Sequence, residues 1–166
     1  MKNIPAYEPH QLNRLEELKG MPLASFPARA SAFVIDFLAA FALFTLIAIY
    51  GAKLLSYLGL LDTDANYNFK FNFANWYSLL FIVLYFGLWT YFGKGQTPGK
   101  WLLKIRVLSL THEHISLWHA IERALGYGAS ALELGFGFVQ YFIHPNKQTV
   151  HDRIAETIVI KQSKKK

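Results

Sequence analysis

A 21-residue apolar segment from Ala30 to Tyr50 constrains this chain more than any other feature. Its sequence, ASAFVIDFLAAFALFTLIAIY, contains a single charged residue, Asp36. At about 1.5 Å per residue, a helix of this length crosses the roughly 30 Å hydrocarbon core of a bilayer. The segment therefore predicts a transmembrane helix over about residues 30–50 and an integral membrane protein.

A second apolar segment, WYSLLFIVLYFGLWTYF at residues 76–92, carries no charge and has aromatic residues at both ends. Aromatic residues at the two ends are typical of a helix that meets both membrane interfaces, so this segment predicts a second span. The first 20 residues are polar and lack the apolar core of a signal peptide, so we expect the first span to be retained. The chain has no cysteine, which excludes disulfides and thiolate metal sites.

The positions of lysine and arginine predict the orientation of these two spans. Basic residues cluster before the first span and after the second: Lys2, Arg14, Lys19, Arg29, Lys94, Lys100, Lys104 and Arg106. The loop between the spans contains only Lys53 and Lys70. Because basic residues concentrate on the cytoplasmic side, we expect the N-terminus and the segment after the second span to be cytoplasmic.

A third apolar region, residues 116–143, is interrupted by glycines and charges. A single crossing would place the basic C-terminal tail outside, against the charge pattern. Two strand-like runs, at residues 103–110 and 156–161, would also need to pair on one side of the membrane. The sequence therefore predicts two half-helices or a re-entrant hairpin that breaks near residues 126–128, with a simple third span as the alternative. The fold class is an all-α membrane protein with a small two-strand cytoplasmic element.

The segment GKGQTPGK after the second span superficially resembles a phosphate-binding loop. Gly95 and Gly99 are one residue too close for that motif, and Trp101 stands where it needs Ser or Thr. The segment instead predicts a turn, in which Pro98 fixes a backbone angle, Gly99 permits bending and Lys100 lies at the headgroups. This cytoplasmic turn comprises Gly95, Gln96, Thr97, Pro98, Gly99 and Lys100.

Ionisable residues in the apolar segments are the candidate functional groups. Asp36 lies in the first span, and Arg29 precedes it by seven residues, which places both on one helix face about 10 Å apart. A carboxylate at this depth should face protein or a water-filled cleft. Two roles are open for it: a structural carboxylate neutralised by Arg or Lys from the third region, or a proton or cation relay. The third region adds the charged residues Glu122, Arg123 and Glu133.

The C-terminal segment QTVHDRIAE contains a helix-start signature. Thr149 and Asp152 have the spacing of a reciprocal helix cap. Asp152 could also contact Arg29 or Arg123 at the cytoplasmic surface. Three nearby histidines, His112, His114 and His119, are expected to be solvated loop residues, and no metal site is predicted.

Four motifs in order, ARASAFVID, GKGQTPGKWLLKIRV, SLWHAIERALG and NKQTVHDRIAETIVI, resemble the RDD family of small bacterial membrane proteins. The resemblance covers residues 22–161. Residues 1–21 form a cytoplasmic N-terminal segment outside it, and residues 162–166 a basic tail. The sequence departs from the family at THEHI, where relatives have a Gly/Asp-rich turn, and at Glu133.

The arginine and the two aspartates that give the family its name correspond to Arg29, Asp36 and Asp152. Membership implies a multi-pass protein of the bacterial inner membrane, and it suggests a Na⁺ or K⁺/proton antiporter or a subunit of one. Asp36 would be the relay carboxylate, with Glu122 or Glu133 nearby. Transport would require a homo-oligomer, because one chain offers few helices to enclose a pathway.

The alternative is a non-transporting scaffold or binding module in which Arg29, Asp36 and Asp152 form a structural ion network. The expected partners are the bilayer, anionic lipid headgroups and, for transport, Na⁺, K⁺ or H⁺, and nucleic acid is not expected. No nucleophile–base pair emerges, so neither enzyme activity nor a cofactor is predicted.

Overall fold

The computed structural model describes residues 10–60, 70–132 and 136–162. Within these ranges the chain forms seven helices and two strands. The helices are α1 (His10–Leu18), α2 (Phe26–Tyr57), α3 (Trp76–Phe92), α4 (Pro98–Leu102), α5 (Leu117–Leu132), α6 (Phe136–Ile143) and α7 (Val150–Ile154). The strands are β1 (Ile105–Ser109) and β2 (Thr157–Lys161). The basic tail after residue 162 and the first nine residues lie outside the described ranges.

Helix α2 is longer than the sequence predicts, because it extends beyond residues 30–50 at both ends. Pro27 in its first turn suits a helix start, where no backbone donor is required. Much of its surface is apolar and exposed, for example at Val34 and Leu38, as expected for a helix that faces lipid. Among the described helices, α2 alone is both long and apolar enough to be a candidate span.

Helix α3 coincides with the predicted segment at residues 76–92. Its 17 residues reach about 26 Å, at the lower limit of a spanning length. Helix α5 packs extensively against α3 and α7. A buried cluster of Ala40, Tyr85, Phe86 and Ala124 joins α2, α3 and α5.

The two strands pair in antiparallel register, with Ile105 opposite Lys161 and Ser109 opposite Thr157. This confirms the prediction that the two strand-like runs pair. The side chains of Val107 and Val159 are buried at the centre of the sheet. Backbone groups before α2 extend the sheet, since the Ala24 N–H donates to the Val159 carbonyl at 2.9 Å. The sheet thereby fixes the position at which α2 begins.

The third apolar region contains two helices, but the predicted break near residues 126–128 is wrong. Helix α5 continues through these positions. Gly126 serves close packing instead of a break, because a Cβ there would lie 2.7 Å from the His151 Cβ of α7.

The direction of the chain changes between α5 and α6. The rings of Tyr127 and Phe138 lie 4.4 and 5.7 Å from the ring of His151. In one straight helix these two residues would be about 16 Å apart along the axis, too far to contact a single imidazole. The path of this region relative to the bilayer stays a prediction.

Candidate functional site

The first charged cluster is built around Asp152 at the start of α7. The Thr149 N–H donates to Asp152 Oδ2 at 3.2 Å, which completes the predicted reciprocal cap. Arg29 Nη1 donates to the same oxygen at 2.8 Å, and Arg123 Nη1 donates to Oδ1. Asp152 is fully buried. One carboxylate therefore caps α7 and pairs with guanidinium groups from α2 and α5.

Arg29 connects α2 to the sheet as well as to Asp152. Its Nε donates to the Ala24 carbonyl and its Nη2 to the Val159 carbonyl, both at 3.2 Å. The guanidinium also lies 5.0 Å from the ring centre of Tyr141 on α6. The planar guanidinium can bind several partners at once in this way, which a lysine could not reproduce.

Arg123 reaches Asp152 from α5. It is 3% exposed, and its Nη1 also donates to Thr157 Oγ1 at 2.7 Å. Its Nε has no hydrogen-bond partner among the described residues. Arg123 is therefore a buried cation whose Nε–H has no hydrogen-bond acceptor among the described residues.

The surrounding charges set the protonation of Asp152 and His151. Burial by itself would raise the pKa of Asp152, but Arg123, His151 and Arg29 outweigh it, and this pKa lies well below its ordinary value. Burial lowers the pKa of His151 to about 3, and Arg123, Lys100 and Arg29 act in the same direction against Asp152. At neutral pH Asp152 is thus ionised and His151 is neutral.

The second charged cluster holds Asp36, which is fully buried. Its Oδ2 accepts a hydrogen bond from Thr97 Oγ1, and its Oδ1 accepts one from the Gly99 N–H at 2.7 Å. Thr97 Oγ1 in turn accepts from Lys100 Nζ at 3.3 Å. A Cβ on Gly99 would clash with the Ala32 carbonyl, so only glycine lets this backbone reach α2. The turn at residues 95–100 therefore supplies the partners of Asp36.

This arrangement corrects the expectations for Asp36 and its network. The partners of Asp36 come from the turn and not from an Arg or Lys of the third region. Arg29 pairs with Asp152, whereas Asp36 is bound by the turn, so Arg29 does not link the two carboxylates. The predicted contacts of Asp152 with Arg29 and Arg123 are both present.

Two expectations for the turn also change, those for Gly99 and Lys100, whereas Pro98 fixes a backbone angle as expected. Pro98 occupies the start of α4, where its fixed backbone angle suits a helix. Gly99 provides close approach to α2, whereas Gly95, with φ 91°, provides the bend. Lys100 does not lie at the headgroups: it is 6% exposed, with Nζ 5.9 Å from the ring centre of Phe86. Gln96 directs the chain into β1, because its Nε2 donates to a β1 carbonyl at 3.1 Å.

The two glutamates named with the site do not join either cluster in the described structure. Glu122 forms no ion pair within 4 Å among the described residues. Glu133 lies outside the described residues. Sequence reasoning missed His151 and Tyr141, which contact the Asp152 cluster. Only His151 could have been found from the sequence, because it directly precedes Asp152.

A cavity of about 270 Å³ lies between the two clusters. Three of its lining residues carry positive charge, namely Arg29, Lys100 and Arg123. Asp36 does not line it. The full lining comprises Phe26, Arg29, Ala30, Phe33, Val34, Lys100, Arg123, Tyr127, Phe138, Thr149, His151 and Val159.

Comparisons with known proteins agree with the four sequence motifs. Neither the curated proteins nor the solved structures contain a match to the chain. A model of the RDD family matches residues 23–156, which include both charged clusters. Together with the long apolar helix α2, this match supports a membrane protein. The chain belongs to the RDD family.

Proposed function

We propose that this protein is a non-transporting membrane scaffold or binding module, in which Arg29, Asp36 and Asp152 hold the helices and the sheet together. The observation that carries the proposal is the environment of Asp36. Its carboxylate is fully buried, both oxygens accept hydrogen bonds from the turn, and it does not line the cavity. Asp152 supports the same proposal, because its two carboxylate oxygens accept hydrogen bonds from Arg29 and Arg123.

A relay carboxylate must exchange protons and cations with water, which requires access and a pKa near the working pH. Asp36 has no exposed surface in this arrangement. Asp152 has a pKa far below neutrality and stays ionised. Both carboxylates therefore fit a structural role better than a relay role.

A cation/proton antiporter is the second candidate, and one observation favours it. Asp36 is a carboxylate buried in an apolar helix, and Lys100 contacts the hydroxyl that binds it. A movement of the turn away from α2 would free a carboxylate beside a cation, which is the kind of group a relay uses. This candidate also needs a homo-oligomer to enclose a pathway.

Proton flux in vesicles that contain the purified chain tests the two candidates. A scaffold gives no Na⁺- or K⁺-dependent proton flux at any pH, and Asp36→Asn and Thr97→Val both lower thermal stability. Thr45→Val is the matched control, because that hydroxyl donates to the Phe41 carbonyl of its own helix. Cation-dependent flux that Asp36→Asn abolishes in a folded protein would replace the scaffold with the antiporter.

A further inference from the structure

We infer that the cavity between the two charged clusters binds the phosphate headgroup of an anionic phospholipid. The inference goes beyond the scaffold role, and the cavity shares Arg29 and Arg123 with the Asp152 cluster and Lys100 with the Asp36 cluster. It rests on an excess of buried positive charge, on donors without partners and on the apolar wall of the cavity.

The charge of the cavity is not balanced by the protein. Asp152 is the carboxylate that pairs with Arg29 and Arg123. Lys100 has no carboxylate within 4 Å of its Nζ in the described part of the chain, although it is 6% exposed. Lys100 reaches the buried Asp36 only through Thr97 Oγ1. Three cations, Arg29, Arg123 and Lys100, therefore face two buried carboxylates, Asp36 and Asp152. An anion in the cavity would balance the remaining positive charge.

Two buried groups offer hydrogen bonds to such an anion. Lys100 Nζ has three donors, and its hydrogen bond to Thr97 Oγ1 uses one of them. Arg123 lines the same cavity, and its Nε has no partner among the described residues. An ammonium and a guanidinium together are a typical phosphate-binding pair.

The rest of the wall is apolar, and it reaches the lipid-facing surface. Phe26, Phe33 and Phe138 line the cavity together with Val34. Val34 is 56% exposed on the outer surface of α2, so the cavity extends to the side that faces the acyl chains. Basic pockets between membrane helices on the cytoplasmic side are known to bind lipid headgroups. At about 270 Å³ the cavity has room for a headgroup, while the acyl chains would remain in the bilayer.

Native mass spectrometry of the full chain in detergent tests the inference, with phosphatidylglycerol, phosphatidylcholine or inorganic phosphate added. We expect phosphatidylglycerol to bind about tenfold more tightly than phosphatidylcholine, and Lys100→Met to remove this preference. Lys104→Met, which removes an exposed lysine from the same segment, should keep it. Persistence of the preference in Lys100→Met would overturn the inference. Inorganic phosphate binding as tightly as phosphatidylglycerol would also overturn it, in favour of a free anion.

Two further readouts separate binding from a merely structural role of Lys100. In lipid-free detergent, Lys100→Met should melt at the same temperature as the parent chain or higher, because it removes one cation in excess of the two buried carboxylates. Phosphatidylglycerol should raise the melting temperature of the parent chain and leave that of the variant unchanged. Ala30→Phe fills the cavity and keeps every charge, so it should also lose the lipid preference. If Ala30→Phe folds and retains the preference, the cavity is not the site.

Discussion

Asp152 combines two functions that the sequence suggests separately. As a capping residue it accepts from the Thr149 N–H, and as a counterion it accepts from Arg29 and Arg123. Breaking a buried ion pair by removing one partner is far more costly than replacing the whole pair, because the remaining charge stays buried without compensation. At the scale of single residues, Asp152 should therefore matter more for stability than any other carboxylate in the described structure.

Asp152→Asn tests this expectation. The substitution keeps the size of the side chain but leaves Arg29 and Arg123 without a counterion, and we expect a loss of about 3–5 kcal/mol in the free energy of unfolding. Unfolding by SDS in mixed micelles measures this loss. The control is Glu113→Gln, which removes an exposed carboxylate and should have little effect. A loss below about 1 kcal/mol for Asp152→Asn would contradict the structural role.

The neutral, buried His151 predicts a pH dependence. Burial lowers its pKa from 6.5 in the unfolded chain to about 3 in the fold, so between these values the unfolded chain binds more protons. The stabilisation is complete above about pH 6.5 and falls as the pH drops toward 3, by up to about 1.4 kcal/mol per pH unit. Asp152, whose pKa is also lowered, adds a further loss below about its ordinary value of 3.8.

Melting temperatures measured between pH 7.5 and 4.5 check this dependence. The parent chain should lose stability on acidification, and His151→Gln should flatten the slope. The exposed His114 provides the control, since His114→Gln should leave the slope unchanged. An equal slope in the parent chain and in His151→Gln would show that other groups carry the pH dependence.

At the scale of elements, glycines decide how closely the helices approach. Gly99 lets the backbone of α4 touch α2, and Gly126 lets α7 touch α5. Both contacts place a functional group: the first brings the Gly99 backbone N–H to Asp36, and the second brings the His151 side chain against α5. A side chain at either position would separate the elements and displace these groups.

Gly99→Ala should therefore disrupt the contact between α2 and α4. The new Cβ would clash with the Ala32 carbonyl and lie 3.0 Å from Asp36 Cγ, and we expect a loss of about 1–3 kcal/mol from overpacking. Gly51→Ala is the matched control, because a Cβ at this helical position meets nothing within 4 Å. It should stabilise the helix by up to about 1 kcal/mol. Unfolding in mixed micelles compares the two variants, and equal effects would contradict the close contact.

At the scale of the whole molecule, the paired strands restrict the topology. Strand β1 follows α4, and β2 follows α7, yet the two strands are hydrogen-bonded along their length. Both must lie on one side of the membrane, and the backbone bridge between Leu23 and Ile160 places the start of α2 on that side too. The charge pattern predicts that this side is cytoplasmic.

Single cysteines can check this topology, because the chain has none of its own. We expect Lys104→Cys and Lys161→Cys to be protected from a membrane-impermeant thiol reagent in intact cells, and Lys53→Cys to react. Permeabilised cells should label all three and serve as the control for accessibility. Labelling of Lys104→Cys and Lys53→Cys from the same side would contradict the predicted path of α2.

The sequence by itself determined the features that depend on local composition. A long apolar run with one charge predicts α2, an uncharged aromatic-flanked run predicts α3, and the Thr149–Asp152 spacing predicts the cap. Strand pairing was also predictable, because two short strand-like runs had no other partner for their backbone groups. These features follow from periodicity, hydropathy and backbone hydrogen bonding, which neighbouring residues largely define.

Only the tertiary structure decided which charges meet. Arg29 and Asp36 share a face of α2, but they lie at different positions along the helix axis. Arg29 therefore meets α7, whereas Asp36 meets α4. Helix α5 is continuous where glycines had suggested a break, and Gly126 there allows close packing against α7. Lys100 was expected at the headgroups, yet packing of α4 against α2 turned it inward toward the cavity. Partner choice depends on contacts between residues far apart in the chain, and a single sequence carries no direct record of those distances.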